Sequence, residues 1–329
     1  MLKIFVRGAA ALLAAGLIWL AWVVAVPVPL PTTPYGLAVG PNRTLSQLAA
    51  KLESDGVVRS RWVMVALGRM GGVDRRIKAG VYDFSGPVAM WEVLQRLAEG
   101  RANQYGVTLI EGWTFRQFRQ ALAQEDVEHV TSGWSEARIM AELGASGTQA
   151  EGMFFPSTYY YTPGSTDLEL MRRAYRTMQQ HLMSAWEGRS EALPYASPYE
   201  LLIMASLVEK ETSRDEDRPM VASVFVNRLK IGMRLQTDPS VIYGMGEAYR
   251  GKIGKADLRR DTPYNTYTRA GLTPTPIALP GQAALEAAAR PATSRALYFV
   301  ARGDGSSHFS ETLDEHNGAV RRYILKKGG

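Results

Sequence analysis

The feature that most constrains this chain is an uncharged apolar segment near its start. The stretch from Gly8 to Val26 (GAAALLAAGLIWLAWVVAV) carries no charge, and a bilayer core needs about 20 such residues. Lys3 and Arg7 precede it, and the first charge after it is Arg43. The length of the segment predicts an uncleaved membrane anchor. Because positive residues favour the cytoplasmic side, we predict that the remaining chain lies outside the cytoplasm. The alternative is a cleaved signal peptide, which usually has a shorter apolar region of ~7–15 residues and a small-residue cleavage site.

Composition excludes several classes of function. The chain has 329 residues and 46% hydrophobic content, enough for one large domain or two modest ones. It has no cysteine, which excludes disulfides, a thiolate nucleophile and zinc sites built on cysteine. Its four histidines lack the spacing of metal ligands, so we predict no metal and no cofactor. The net charge of +6 is dispersed among acids, which argues against nucleic acid and suits work beside anionic lipid or polymer.

The order of sequence patterns predicts an α+β protein. We expect a cytoplasmic tip at residues 1–7, a transmembrane anchor at 8–26, and a Pro-rich linker with the start of the next domain at 27–43. A small α/β subdomain at 44–105 and a larger mixed α+β domain at 106–329 follow. The linker sequence PVPLPTTPYG predicts a stiff spacer. Thr44 and Gln47 form a capping-box pattern that predicts a helix, and Ile77 to Phe84 is typical of a strand.

One predicted helix ends in two glutamates. Ser197 and Glu200 form a capping-box pattern that fixes its start, and it ends in ASLVEKETS with Glu209 and Glu211. At about 100° per residue the two glutamates face different sides, both apolar one or two turns earlier. Desolvation and the negative end of the helix dipole would raise the pKa of a carboxyl there, as a general acid requires. The alternative is the solvated end of a core helix.

Other chemistry has little support in the sequence. No serine lies in a G-x-S-x-G motif, and no glycine loop has the strand-to-helix context of a phosphate site. The loops, however, are rich in aromatic rings, amides and hydroxyls, which suit sugar rings, although tyrosine clusters are as often packing. The candidate substrate-binding residues are Asn227, Gln236, Thr237, Asp238, Tyr264, Asn265, Tyr267, Glu151 and Tyr160.

Several motifs together resemble a known family. They are EGMFFPSTYYY, MASLVEKET, VASVFVNRLKIGMRLQTDPSVIYGMG, YNTYTRAGLTPTPIALPG and LYFVARGDGSSHFSETLDEHN. In this order they are similar to the YceG-like endolytic murein transglycosylases, from about Leu109 to the C-terminus. The stretch from about Gly36 to Gln104 resembles the LysM-like subdomain of that family.

The resemblance implies an inner-membrane enzyme with a single-pass anchor and an extracytoplasmic catalytic domain. It would cleave MurNAc-GlcNAc β-1,4 bonds in nascent peptidoglycan strands, leave 1,6-anhydro-MurNAc ends and terminate glycan elongation beside peptidoglycan synthases (penicillin-binding proteins). The family's catalytic glutamate, the second in EKE, corresponds to Glu211, with Glu209 as its fallback. Asp238 and Glu151 are the candidates for a second acid. A water-using muramidase and an anchored, non-catalytic peptidoglycan-binding scaffold are the alternatives.

Overall fold

The computed structural model describes residues 2–33, 35–40, 43–100, 105–162 and 164–325, with side chains from residue 7 onward. The helices are α1 (Leu2–Ala25), α2 (Leu45–Ser54), α3 (Arg61–Met70), α4 (Met90–Glu99), α5 (Phe115–Leu122), α6 (Glu136–Glu142), α7 (Asp167–Glu187), α8 (Pro198–Glu211), α9 (Arg218–Lys230), α10 (Asp238–Met245), α11 (Lys255–Arg259), α12 (Gln282–Ala289) and α13 (Leu313–Tyr323). The strands are β1 (Tyr35–Val39), β2 (Gly80–Phe84), β3 (Tyr105–Thr108), β4 (Thr158–Tyr161), β5 (Tyr298–Ala301) and β6 (Ser307–Ser310). Within these ranges the strands pair as β1 with β2, β3 with β4 and β5 with β6. The protein is therefore mixed α+β and mostly helical.

The chain forms two compact units. One contains the described parts of residues 1–106, 126–128 and 160–165, and the other those of 107–125, 129–159 and 166–329. Several predicted segments include residues outside the described ranges: Pro34, Pro41 and Asn42 in the Pro-rich linker and domain start, Gln104 at the end of the LysM-like stretch, and residues 326–329 of the larger domain.

The first unit has its core between one two-stranded sheet and three helices. Strands β1 and β2 are antiparallel, with Tyr35 opposite Phe84 and Val39 opposite Gly80. Alternate residues of β1 are buried, as expected of a strand with one face on a core. Helix α2 begins at the predicted cap, where Thr44 and Gln47 complete a capping box, and its apolar residues join those of α3 and α4 in the same core.

The apolar helix α1 is attached to the first unit. Its segment Arg7–Ala25 is long and apolar enough to cross a membrane, and near its end Val23 lies in the core of the unit. Beyond the helix, Val28 forms an isolated antiparallel bridge with Val88, with N–O distances of 2.9 and 3.0 Å. The two backbone hydrogen bonds of Val28 thus hold one point of the Pro-rich segment to the unit, and its role as a spacer stays a prediction.

Helix α8 lies at the centre of the second unit. Every residue from Leu201 to Val208 is buried, and the helix packs against α7, α9, α10 and α12. At its start the Ser197 hydroxyl accepts a hydrogen bond from the Glu200 N–H, as predicted. The Glu200 carboxylate instead accepts from the N–H of Ala196, so the second half of the predicted capping box is shifted by one residue. Because the middle of the helix is surrounded in this way, the glutamates can reach a cleft only from its last turn, Glu209 to Glu211.

Candidate active site

At the end of α8 three consecutive side chains reach three different segments. Lys210 donates from Nζ to the carbonyl oxygen of Gly112 at 3.1 Å. Glu209 accepts from Arg218 and Gly281, while Glu211 accepts from Thr237. The helix stops here because Thr212 takes an extended conformation. The two glutamates therefore face different partners, as the helical geometry predicts.

Glu211 combines partial burial with one direct hydrogen bond. Its Oε1 accepts from the hydroxyl of Thr237. Desolvation is the largest influence and raises the pKa of the Glu211 carboxyl above its usual value; the charge of Asp238 raises it further. The Thr237 hydrogen bond and the charge of Arg228 oppose this rise. The net upward direction favours a protonated carboxyl that can donate a proton.

Thr237 is held in place by a buried network of hydroxyl groups. Its N–H donates to Oγ1 of Thr266 at 3.0 Å, and its carbonyl oxygen accepts from Oγ of Ser240 at 2.8 Å. Thr237, Ser240 and Thr266 are all buried. Next to them, Gln236 has a positive φ of 49°, a conformation that is uncommon for a residue with a side chain. The loop before α10 is thus fixed in a single arrangement against Glu211.

Glu209 is committed to a buried ion pair. Its Oε1 lies 3.1 Å from Nη2 of Arg218, and both side chains are only 6% exposed. Its Oε2 accepts from the N–H of Gly281 at 2.9 Å. Arg218 also pairs with the exposed Asp215. With both oxygens occupied, Glu209 has the geometry of a positioning residue that ties α8 to α9 and to the loop before α12.

The end of α8 lines an open cleft of about 440 Å³. The lining residues are Ile110, Glu111, Gly112, Glu209, Lys210, Glu211, Thr212, Ser213 and Arg218. Desolvation and the charge of Glu209 raise the pKa of Glu111, and Arg218 opposes them. Glu111 and Glu211 are thus two carboxyls with raised pKa values in one cleft.

Sequence reasoning missed Glu111, Arg218 and Arg228. The only local signal for Glu111 is its place between a strand and a capped helix, in LIEGWT. Arg228 is buried and donates to the carbonyl oxygens of Leu297 and Leu235 at 2.7 and 2.6 Å. Its long-range partners leave no pattern in the neighbouring sequence.

Some predicted substrate-binding residues lie near Glu211. Thr237 contacts it directly. Asp238 is exposed and accepts from the Tyr267 hydroxyl at 2.5 Å, and its charge acts on the Glu211 carboxyl. Gln236, exposed beside Thr237, completes this group. Thr237 and Asp238 thus act on the Glu211 carboxyl, and Asp238 in turn binds Tyr267.

Two asparagines predicted to bind substrate donate their side-chain amides to backbone carbonyl oxygens instead. The amide nitrogen of Asn265 donates to the carbonyl oxygens of Asp257, Leu258 and Arg260, the shortest at 2.8 Å, and its side chain is fully buried. The amide nitrogen of Asn227 donates to the carbonyl oxygens of Ser294 and Ala296. Both arrangements hold loops in place, and substrate contact by either residue stays a prediction.

Glu151 belongs to a separate aromatic cluster. Its oxygens accept from the N–H of Phe115 at 2.9 Å and from the hydroxyl of Tyr243 at 3.1 Å. Burial raises the pKa of Glu151 to about 7. The Tyr243 ring meets that of Tyr264 edge to face at 4.9 Å. Tyr160 is exposed and belongs to the first unit.

No metal centre is formed by the side chains that the structure describes. Among them, no three or more His, Cys, Asp or Glu side chains lie together in a group that could hold an ion. The side chains that line the cleft supply carboxyl, hydroxyl, amino and guanidinium groups.

Comparison with known proteins identifies the family. Residues 37–322 match the YceG-like family. A Bacillus subtilis protein named endolytic murein transglycosylase is 30% identical over 319 residues, covering 90% of this chain and 86% of that protein. A Streptococcus pneumoniae protein of the same name is 26% identical, and the match covers 89% of this chain but only 58% of that longer protein. The crystal structure of a yceG-like protein from Listeria monocytogenes matches with a TM-score of 0.56 and 27% identity, over 87% of this chain and 98% of that one. The chain belongs to the YceG-like family.

Proposed function

We propose that this protein is an endolytic lytic transglycosylase of peptidoglycan, and that Glu211 is its catalytic acid and base. The observation that carries the proposal is the Glu211 carboxyl in an open cleft, desolvated and oriented by the Thr237 hydroxyl. Relatives from two organisms carry the name endolytic murein transglycosylase. The substrate would be the β-1,4 bond between MurNAc and GlcNAc in a glycan strand.

One carboxyl group can carry out both proton transfers of this reaction. The protonated Glu211 would donate its proton to the glycosidic oxygen as the bond to the anomeric carbon breaks. The resulting carboxylate would then take the proton of the muramic 6-hydroxyl, whose oxygen attacks the anomeric carbon. The product is a 1,6-anhydro-MurNAc end, and Glu211 is protonated again. No water is consumed.

The residues around Glu211 would bind the sugar on either side of the cleaved bond. Gln236, Asp238 and Tyr267 lie on the two segments next to Glu211, with Asp238 and Tyr267 already joined. Tyr264 would offer an aromatic ring to the strand. Asn265 and Asn227 would act indirectly, because their amides fix the loops on which these side chains lie. Glu151 is buried, and its oxygens accept from Phe115 and Tyr243, so it would act through the fold. Substrate contact by the exposed Tyr160 stays a prediction.

We further propose that the enzyme works at the outer face of the inner membrane. Helix α1 would span the bilayer with its N-terminus in the cytoplasm, since Arg7 precedes the apolar segment and no charge follows it before Arg43. The region 44–105 would be a LysM-like subdomain and 106–329 the catalytic domain. An anchored enzyme would meet strands as synthases release them, and its cuts would terminate their elongation.

A water-using muramidase is the second candidate, because Glu111 lies in the same cleft as Glu211. Hydrolysis by two carboxyls adds water to the cleaved bond. Mass spectrometry of products from uncrosslinked glycan separates the two reactions, since the anhydro product is lighter by one water. We expect anhydro ends. Reducing ends would support the muramidase, and intact glycan bound by the full-length protein would support the non-catalytic scaffold.

A further inference from the structure

The end of α1 is built into the first unit. Val23, in its last turn, is 2% exposed and belongs to the core of the unit. The Arg59 guanidinium donates to the carbonyl oxygens of Val26 and Pro27 and lies 4.4 Å from the ring centroid of Trp22. These two carbonyls directly follow the end of α1, where the helix no longer supplies donors, and Arg59 supplies them instead. The unit is therefore fixed directly at the end of the apolar helix.

Two exposed tryptophans lie beside this junction on two different helices. Trp62, in the first turn of α3, is 71% exposed and follows Arg59 by three residues. Trp91, in the first turn of α4, is 48% exposed and follows by three residues Val88, whose backbone pairs with Val28. Helix α1 also packs against α4. Each exposed tryptophan thus lies three residues from a residue that binds the segment 26–28.

Tryptophan is enriched where a protein meets the boundary between hydrocarbon and water. The ring is largely apolar and its N–H needs a polar partner, so the headgroup layer satisfies both parts. We propose that Trp62 and Trp91 insert into the interfacial layer of the bilayer that α1 spans, so that the first unit rests on the membrane surface. This inference depends on the proposed function in one respect, that α1 is a membrane anchor.

The arginines beside Trp62 indicate aromatic rather than ionic attraction. Arg59 is engaged by the carbonyl oxygens at the end of α1. Arg61 lies 4.8 Å from the ring centroid of Trp62 and pairs with Glu53 at 3.5 Å. Neither arginine is left as a separate positive charge for a lipid phosphate. We therefore expect similar insertion into zwitterionic and anionic bilayers.

The absence of cysteine from the sequence provides a direct test. In the full-length protein, single Trp62→Cys and Trp91→Cys variants are labelled with the environment-sensitive fluorophore NBD and reconstituted into phosphatidylcholine vesicles. Because both side chains are exposed, their replacement should leave the fold intact. We expect blue-shifted emission and protection from aqueous iodide at both positions. The control is Met70→Cys, which is 85% exposed at the other end of α3, about 12 Å along the helix, and should emit as in water.

A second reference separates failure of this inference from failure of the anchor. Leu17→Cys labels the exposed middle part of α1 and should report hydrocarbon. If the Leu17 label reports lipid while the labels at Trp62 and Trp91 emit like the label at Met70, the proposed insertion of the two tryptophans is wrong. The membrane anchor itself is then supported. If the Leu17 label reports water, the anchor itself is wrong. Blue shifts that require added phosphatidylglycerol would overturn the aromatic account in favour of an ionic one.

Discussion

The Thr237 hydroxyl donates a hydrogen bond to Oε1 of Glu211 and joins the loop before α10 to the end of α8. A hydrogen bond to a carboxylate stabilises its charged form, and this one lowers a pKa that desolvation raises. Thr237 is itself fixed by Thr266 and Ser240. The hydrogen bond therefore orients the Glu211 carboxyl and opposes the rise of its pKa that desolvation causes.

Removing that hydroxyl should shift the pH profile of the reaction. Thr237→Val keeps the side-chain shape but loses the donor, so the pKa of Glu211 should rise further. Because a general acid must be protonated, the loss of rate at high pH should then begin at a higher pH. The pH dependence of kcat/KM measures this shift, and Thr237→Ser, which keeps the hydroxyl, is the control. A high-pH limb that stays in place or moves to lower pH in Thr237→Val would contradict this assignment.

Glu209 should matter more for stability than for proton transfer. Glu209→Ala leaves the buried Arg218 with only the exposed Asp215, and removing one partner of a buried pair costs about 3 kcal/mol. Urea unfolding measures the cost. Glu216→Ala removes another glutamate paired with an arginine, but an exposed one, and should change stability by less than about 1 kcal/mol. If Glu209→Gln abolishes turnover at full stability, the roles of the two glutamates are reversed.

Gly152 should tolerate no side chain. Its φ is +80°, and an added Cβ would lie 2.6 Å from Cγ of Pro276. Backbone strain and overpacking together predict a loss of about 3 kcal/mol for Gly152→Ala. Gly147 has nearly the same φ, +83°, with nothing near the added Cβ, so Gly147→Ala should cost about 1 kcal/mol. If the two variants lose the same unfolding free energy in thermal or urea unfolding, the contact with Pro276 does not add to the cost.

Buried Glu151 should make stability depend on pH. Its pKa rises from 4.5 to about 7 on folding, so the folded state holds a proton that the unfolded state releases. The stability linked to this proton is fully present below about 4.5 and is lost as the pH rises through about 7. Glu151→Gln stays neutral and should lack this loss. Unfolding free energies at pH 5 and pH 7.5 measure it, and parallel pH curves for the two proteins would contradict the assignment.

Local signals allowed the prediction of helix boundaries but not of the cleft. The caps at Thr44 and Ser197 and the glutamates at the end of α8 lie within a few residues of the groups they affect. The partners of Glu209 and Glu211 do not: Thr237 is 26 residues from Glu211 and Gly281 is 72 residues from Glu209. Such contacts depend on the packing of α8 against its neighbours, which no short pattern encodes.

The Pro-rich segment shows the same limit in the first unit. Its composition predicts an extended spacer, yet a backbone pair between Val28 and Val88 holds it to the unit. Composition describes how a segment behaves alone. It does not reveal a backbone partner elsewhere in the chain, such as Val88, that can bind it.

The rate of glycan cleavage by Glu211→Gln tests the central claim most directly. The amide keeps the shape of the side chain and can still accept from Thr237, but it cannot donate and take back a proton. With unchanged unfolding behaviour, we expect release of anhydro-ended fragments to fall by at least roughly 10²-fold, while the exposed control Glu216→Gln cleaves at the parent rate. Cleavage by a folded Glu211→Gln variant at the parent rate would show that another group is the acid.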